Sequence, residues 1–591
     1  MVEQIMADQI TQEDLLTVLR HSADPGLQLN IEVLDAGQKV ISTLNCAVLS
    51  GNMTISGDAD VRRTASFIAQ PTWKEQMKLT ENSLLWLNKD IRLSIGLYNA
   101  GDRQYRYYPL GHYVYTDTAG TYDAAANQLT INCSDFMKKL DGTKNGQLGA
   151  LLLSYPACEQ NPETGEIIRH NTIRSAVIET LEHLAGITNH KIDDIGEPYA
   201  MPEHNDDWQK YREENPDTWN TIPFDQEFSA GCSILSVLTT FRDLYPGYEM
   251  FFDMEHNTFV CQMIPSCYED GIFLDNTFIQ RVLISENTSV DMTDVKNICE
   301  VRGQMIETDF YSENCACTGN IYTAAINGYD TAYRNGDIVA LKIPEANQNA
   351  PRININNLGA IAICDEGSDK PLSAGRLKAD NIYAFKIRKR RIDKQDVIKA
   401  CLLGQWQVHA LNVLTDGSKS TEKAVCGDGT EYERYSPEYF KKFYQCEHVE
   451  LTIIPDSPFT VQKLGEILDV KTGGEYENIT SDDLALDRAK LENRKNCRLT
   501  DHITITTVLL PFLDVNKKIS YRRSDSDREH QYIISSVSHD FSGYTTTITM
   551  YRFYPLYGKK NMDAGSHRVI SGYTHEELGR YTHEQLASAA F

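Results

Sequence analysis

The chain lacks an apolar run near the ~18 residues that a membrane-crossing helix needs, so no membrane anchor is expected. Its first residues, MVEQIMADQITQEDLL, lack the basic and apolar regions of a secretion signal, which points to synthesis in a cytoplasm. Cations are scarce. Lys and Arg total 57 against 83 Asp and Glu, a net charge of −26. That balance argues against a basic nucleic-acid-binding face and against docking on anionic lipid. Cysteine is dilute, fourteen in 591 residues, with no Cys-x-x-Cys pair. The closest pair, Cys315-Ala316-Cys317, has no second Cys/His pair at zinc spacing, so reduced thiols are the expectation and a metal there the lesser reading.

Catalytic signatures are missing as well. There is no Gly-x-Ser-x-Gly elbow and no phosphate loop of the Walker kind. His575-Glu576 and His583-Glu584 each lack the second histidine, four positions after the first, that a zinc protease needs. The acidic run 524–527 lacks the glycine and terminal glutamate of a calcium loop. His183 and His409 read as helix-face and strand residues rather than ligands. No catalytic residue, metal or cofactor is assigned, and the chain is not expected to be an enzyme.

What is present is an ordinary folded composition, 41% apolar and 24% charged, long enough for about three to five domains. The fold class expected is α+β, mostly β, and multi-domain. Residues 1–28 read as an N-terminal arm with a short helix after Thr11. Residues 29–135 alternate apolar and polar between turn signals and predict a β-barrel or sandwich. Residues 136–285 predict a mixed α/β domain. It has one helix capped at Asn171 and closed by Gly186, and a second over 234–244. Residues 286–315 and 413–560 read as one second β region, interrupted by a small inserted β domain at 316–412. Residues 561–591 form a tail in which YTHEELGR is nearly repeated as YTHEQLAS.

Three sets of residues carry candidate interactions. Asp58, Asp60, Arg62 and Arg63 place two cations beside two acids. They read either as an inter-subunit or domain contact or as a surface strand with local pairing. In the insert, Lys386, Arg388, Lys389, Arg390 and Arg391 read either as a solvated strand edge or as a docking patch for an acidic partner or phosphate. Tyr333 and Trp406 read either as core aromatics or as stacking platforms for a sugar ring. In the tail, Tyr573, His575, Leu578, Tyr581, His583 and Leu586 recur with the repeat and offer a partner-binding segment.

Segments in order along the chain resemble the phage tail hub family. They are LSGNMTISGDADVRRTASF at 49–67, YYPLGHYV at 107–114, IPFDQEF at 222–228 and LYPGYEMFFD at 244–253. DVKNICEVRG at 294–303, LTDHITIT at 499–506, PFLDV at 511–515 and VSHDFSGYTT at 537–546 follow. The insert separately resembles small β modules of phage tail and fibre proteins, through YRNGD at 333–337, ININNLGA at 353–360, LSAGRL at 372–377 and GQW at 404–406. The resemblance implies two tube-like β domains per chain and a homotrimeric ring. The ring joins a hexameric tail tube or distal tail protein to a threefold tip, spike or fibre, within a virion tail assembled in the host cytoplasm. Genomic DNA would pass through without specific binding, and an acidic lumen would repel its phosphates. A receptor- or glycan-binding tail protein that uses the insert is the alternative. A cell-wall hydrolase would need a catalytic module that the sequence does not offer.

Overall fold

The computed structural model describes residues 27–554, except 36, 72–88, 100, 102, 117–120, 150–152, 161–166, 197–218, 224, 246, 266–271, 292–294, 330, 366–370, 393–394, 428, 456 and 497–498. The fold is mostly β with several sheets, as the alternations predict. In Gln28–Leu34, Leu29, Ile31 and Val33 are buried, and Gln28, Asn30 and Glu32 alternate with them. Six antiparallel strands run in the order Gln28–Leu34, Asp90–Asn99, Gln104–Tyr115, Gln128–Asp135, Arg63–Pro71 and Val40–Ser56. Val40–Ser56 pairs back onto Gln28–Leu34, so the ring of strands closes into a barrel.

Val40–Ser56 is seventeen residues long and serves two sheets. Its first part, to Ala47, pairs with Gln28–Leu34. On the same edge, Asn52–Ser56 pairs with Ser536–Asp540 of a second sheet. Between the two, the register shifts at Val48/Ser50. Gly51 makes the switch possible in packing terms. A Cβ there would lie 2.5 Å from the Phe67 ring, and that ring packs on Phe541 of the second sheet at 5.0 Å. The second sheet comprises Leu283–Asp291, Leu499–Val508, Thr545–Tyr554, His530–Asp540 and Lys518–Tyr521. One hydrophobic cluster runs through barrel and second sheet together, from Leu29 and Phe67 to Ile505, Ile548 and Met550. Helix Asn276–Val282, capped by Asp275, adds Phe278, Ile279 and Val282 to it.

A mixed α/β unit follows the barrel. The helix Ile173–Glu179 is capped by the Thr172 side chain on the Ser175 N–H, one residue later than expected. It runs on as a π turn to Gly186, whose φ of 68° is the left-handed closure that its position predicts. Helix Ile234–Asp243, capped by Ser233, packs on the hairpin Tyr248–Phe252/Phe259–Met263.

The region read as one at 286–315 and 413–560 separates into two sheets. Leu283–Asp291 and the strands after Leu499 join the barrel's sheet. Ile298–Met305, Gln407–Thr415, His448–Ile453 and Leu468–Lys471 form a four-stranded mixed sheet of their own. Helix Asp482–Asn496 sets Ala485 and Ala489 against one face of it. Helix Pro437–Phe443 sets Tyr439 and Phe440 against the other. The insert is an eight-stranded sheet from Phe310 to Gln405 with its own core. The insert, expected over 316–412, therefore ends at Trp406. Gln395–Gln405 belongs to the insert and Gln407–Thr415 to the four-stranded sheet.

Candidate functional site

Arg62 and Arg63 sit where the barrel, the mixed α/β unit and the second sheet meet. They are 3% and 2% exposed. The loop that carries them is anchored at both ends. Ser56 N–H donates to Arg62 O (2.9 Å), and Gly57 N–H donates to Ser535 O (2.8 Å). Arg62 forms an ion pair with Glu249 and lies 3.9 Å above the Phe251 ring, both on the mixed unit's hairpin. Glu249 also accepts from Gln262 Nε2 (2.8 Å) and from Asn516 Nδ2. Arg63 turns the other way. Its Nη2 pairs with Asp514 in the loop after Leu499–Val508, and its Nη1 donates to Phe252 O (2.7 Å). Its own backbone N–H donates to Asp135 Oδ2 (2.8 Å). Burial is the largest single influence on the Asp514 carboxyl and would raise it, but Arg63, Arg62, Lys517 and the Val515 N–H together hold the group below the usual carboxylate range. Two guanidinium atoms remain without hydrogen bonds, Arg62 Nη1 and Arg63 Nε.

Asp60 pairs not with these arginines but with Arg242 (2.9 Å), which also holds Asp243. Asp58 lies exposed in the turn after Ser56. Glu249, Asp514, Asp135 and Asn516 were not singled out in the sequence. The chain separations that bring them in are 187, 451 and 72 residues for Arg62–Glu249, Arg63–Asp514 and Arg63–Asp135. No local pattern signals pairs so far apart.

A second surface has a chemistry of its own. The registers align Thr64, Thr54, Ser538, Thr547 and Thr506 side by side on five neighbouring strands. Ser134 and Ser285 end the row, so it crosses seven strands and both β units. Flanking rows hold Asn52 and Ser66 on one side and Ser536, Thr549 and Thr504 on the other. Among the described residues of these three rows, Asp540 alone is charged. Thr54, Thr64 and Ser285 are exposed, Ser538, Thr547 and Thr506 half-buried, and Ser134 buried.

Tyr333 is no stacking platform. It is 6% exposed, donates its hydroxyl to Gly359 O (2.9 Å), and accepts from Ile355 N–H (3.0 Å) within the insert core. Trp406 already stacks on Tyr311, 4.7 Å between centroids, where the insert meets the four-stranded sheet. The two do not form one surface. Lys386, Arg388, Lys389, Arg390 and Arg391 all lie on strand Ile382–Ile392. Cys315 and Cys317 share strand Cys315–Thr318, and burial pushes their thiols up to about 12 and about 11. Among the described residues, no three His, Cys, Asp or Glu come together as a metal site. Tyr573, His575, Leu578, Tyr581, His583 and Leu586 lie outside the described residues.

A family model described as a domain of unknown function, DUF5048, matches residues 456–557. No curated protein matches the chain. Among solved structures, a tail protein from Neisseria meningitidis MC58 is similar at 7% identity and a TM-score of 0.39, over 89% of this chain and 96% of that one. The 43 kDa tail protein of prophage MuSo2 from Shewanella oneidensis gives 9% and 0.38, over 89% and 98%. The prophage tail protein gp18 from Listeria monocytogenes EGD-e gives 10% and 0.35, over 88% and 94%.

Proposed function

We propose that this chain is the structural hub subunit of a bacteriophage tail. Three copies form a ring between the tail tube or distal tail protein and the tip, spike or fibre, with the DNA channel through its centre. The observation that carries the proposal is the hydroxyl row that crosses barrel and second sheet without a break. A wall for a moving polyanion must not hold it. Lys and Arg would bind phosphates by releasing counterions, whereas Ser, Thr and Asn offer neutral groups that water already satisfies. The chain's acidity then lies elsewhere than on the wall, which modifies the expectation of an acidic lumen. Seven strands supply about 34 Å of wall per chain. For strands along the axis, three chains close a hoop of about 100 Å, roughly 32 Å across between backbones. The sequence segments that resemble tail hubs support the same reading, because they fall in both β units and in order.

Cryo-electron microscopy of purified tails is the test. A threefold ring with Thr54, Ser538 and Thr547 facing the hole is the expected result. Absence of the chain from the tail axis overturns the hub reading. A ring whose hole is lined by other residues overturns the channel assignment. A glycan-binding role for the insert is not proposed, since Tyr333 is core and Trp406 is stacked.

A further inference from the structure

The second sheet is itself interrupted. Strands Leu283–Asp291 and Leu499–Val508 are paired neighbours that meet at Asp291↔Thr500. Between them the chain builds residues 295–496, the four-stranded sheet and the insert it carries. Lys296 N–H donates to Asn496 O (3.3 Å), so the chain enters and leaves this body side by side. Among the described residues, the body keeps its apolar clusters to itself. One cluster joins the barrel to the second sheet, and another joins the mixed unit to Val114 of the barrel. Four clusters fill residues 295–496, and none of them includes a residue from outside. The insert is fixed to the body where Gln405 N–H donates to Thr480 O (2.9 Å) and Trp406 stacks on Tyr311.

The contacts that reach from this body to the mixed unit are polar. Arg488, on helix Asp482–Asn496, meets the C-terminus of helix Ile234–Asp243. Its Nη1 donates to Asp243 O (3.1 Å) and Leu244 O (2.8 Å). A helix leaves its last carbonyls without partners of its own, and its dipole favours a cation there. Asn478 Nδ2 also donates across, to Gln226 Oε1 (3.4 Å). Arg488 is at the same time paired within its own helix, Nη2 to Glu492 Oε1 (2.9 Å), with its guanidinium 5.4 Å from the Tyr476 ring. Its charge therefore stays matched with or without the mixed unit. A buried ion pair divided between two bodies would leave a charge stranded when they part. Here only carbonyl contacts are lost, and water replaces them.

We propose that residues 295–496 form a swinging body. It turns on the two-stranded neck at Asp291↔Thr500 and is latched by Arg488 on the end of helix Ile234–Asp243. Release exchanges protein hydrogen bonds for water without unpairing a charge, which gives the latch two accessible positions. The insert rides on this body, so a protein that grips the insert and prefers the released position shifts the balance toward it. The motion belongs to one chain and does not depend on the ring proposed above.

The test is single-molecule energy transfer in the full-length chain, between dyes on genetically encoded side chains at the exposed positions Glu179, on the mixed unit, and Lys442, on the body. R488A/E492A removes the latch together with its helical partner, so no buried charge is left alone. The parent should show one dominant separation. R488A/E492A should add a second, with the latched-to-released ratio lowered about tenfold or more. R488K keeps a donor for the carbonyls and should restore the single separation. An unchanged single separation in R488A/E492A overturns the proposal. So does a broad spread already present in the parent. Loss of the whole fold in R488A/E492A, read by circular dichroism, also overturns it, because the body would then be part of one cooperative unit.

Discussion

Arg62 and Arg63 are adjacent in the chain yet bind in different directions, Arg62 to Glu249 and Arg63 to Asp514. Each ion pair is shut away from water, so removal of one partner leaves a buried charge unmatched. Glu249→Ala is expected to cost about 3–5 kcal/mol in urea unfolding. The double change Arg62→Met with Glu249→Leu should cost less than either single change, because no uncompensated charge is left. A double-mutant cycle reads this directly, and equal costs for single and double changes would refute it. Acid acts on the same seam through His539. This residue is in register with Met53 where the barrel's long strand meets the second sheet. Its Nδ1 shares a hydrogen bond with Thr546 Oγ1 (2.9 Å), and its Nε2 has no partner. Burial holds its pKa down to about 4, from 6.5. The unfolded imidazole takes up a proton below pH 6.5 and the folded one only near 4, so stability should fall as pH drops through that window. The loss is on the order of 3 kcal/mol. Below it, protonation of Asp514 removes the partner of Arg63 and adds to the loss. His539→Gln should flatten the slope between pH 6.5 and 4 in chemical denaturation, and an unchanged slope would refute the assignment.

At the scale of elements, the long strand Val40–Ser56 is the part that makes two units one. Thr54 has a neighbour on both sides, Thr64 and Ser538, whereas among the described residues Val40 has one partner, Leu34, at the strand's start. Proline removes the N–H and is excluded from a strand paired on both sides, outside bulges. Thr54→Pro should lower the melting temperature by about 10 °C or more, and Val40→Pro by no more than about 3 °C. Comparable losses would show that the strand does not join the units. Much of this level was legible in the sequence. The alternation of Leu29, Ile31 and Val33, and the β-branched run 545–549, become strands because a half-buried sheet requires that period. Which sheet a strand joins was not legible. The run around Gln405 reads as continuous, yet the register on one side of Trp406 is set by the insert and on the other by Ile298–Met305. Period alone carries no information about the partner. The candidate sites divide the same way. Arg62 and Arg63 stood out as paired charges, but their acids arrive from hundreds of residues away. Tyr333 stood out as an aromatic, but its hydroxyl is spent on the insert's own backbone.

At the scale of the whole molecule, the chain leaves the four-stranded sheet and returns to it at one point. Met305 and Gln407 are strand partners, and Ile306 N–H donates to Trp406 O (2.9 Å). Everything between forms a sheet with its own core. Replacement of residues 306–406 by an Asn-Gly turn should therefore close Ile298–Met305 and Gln407–Thr415 into an ordinary two-residue hairpin. The deletion also severs the insert from the start of helix Asp482–Asn496. It removes the Lys378–Asp483 pair and the hydrogen bond from Asp482 N–H to the Gln405 side chain. The ion pair is exposed at both ends and contributes little. The shortened chain should fold, keep its barrel and second sheet, and melt within a few degrees of the parent by circular dichroism. Its association in solution then tests which part of the chain forms the ring. If the ring proposed above forms through the barrel and second sheet, the shortened chain should still give it. A shortened chain that cannot fold would instead show that the insert's sheet supports the one it interrupts, and that the adjacency of Met305 and Gln407 does not make the insert independent.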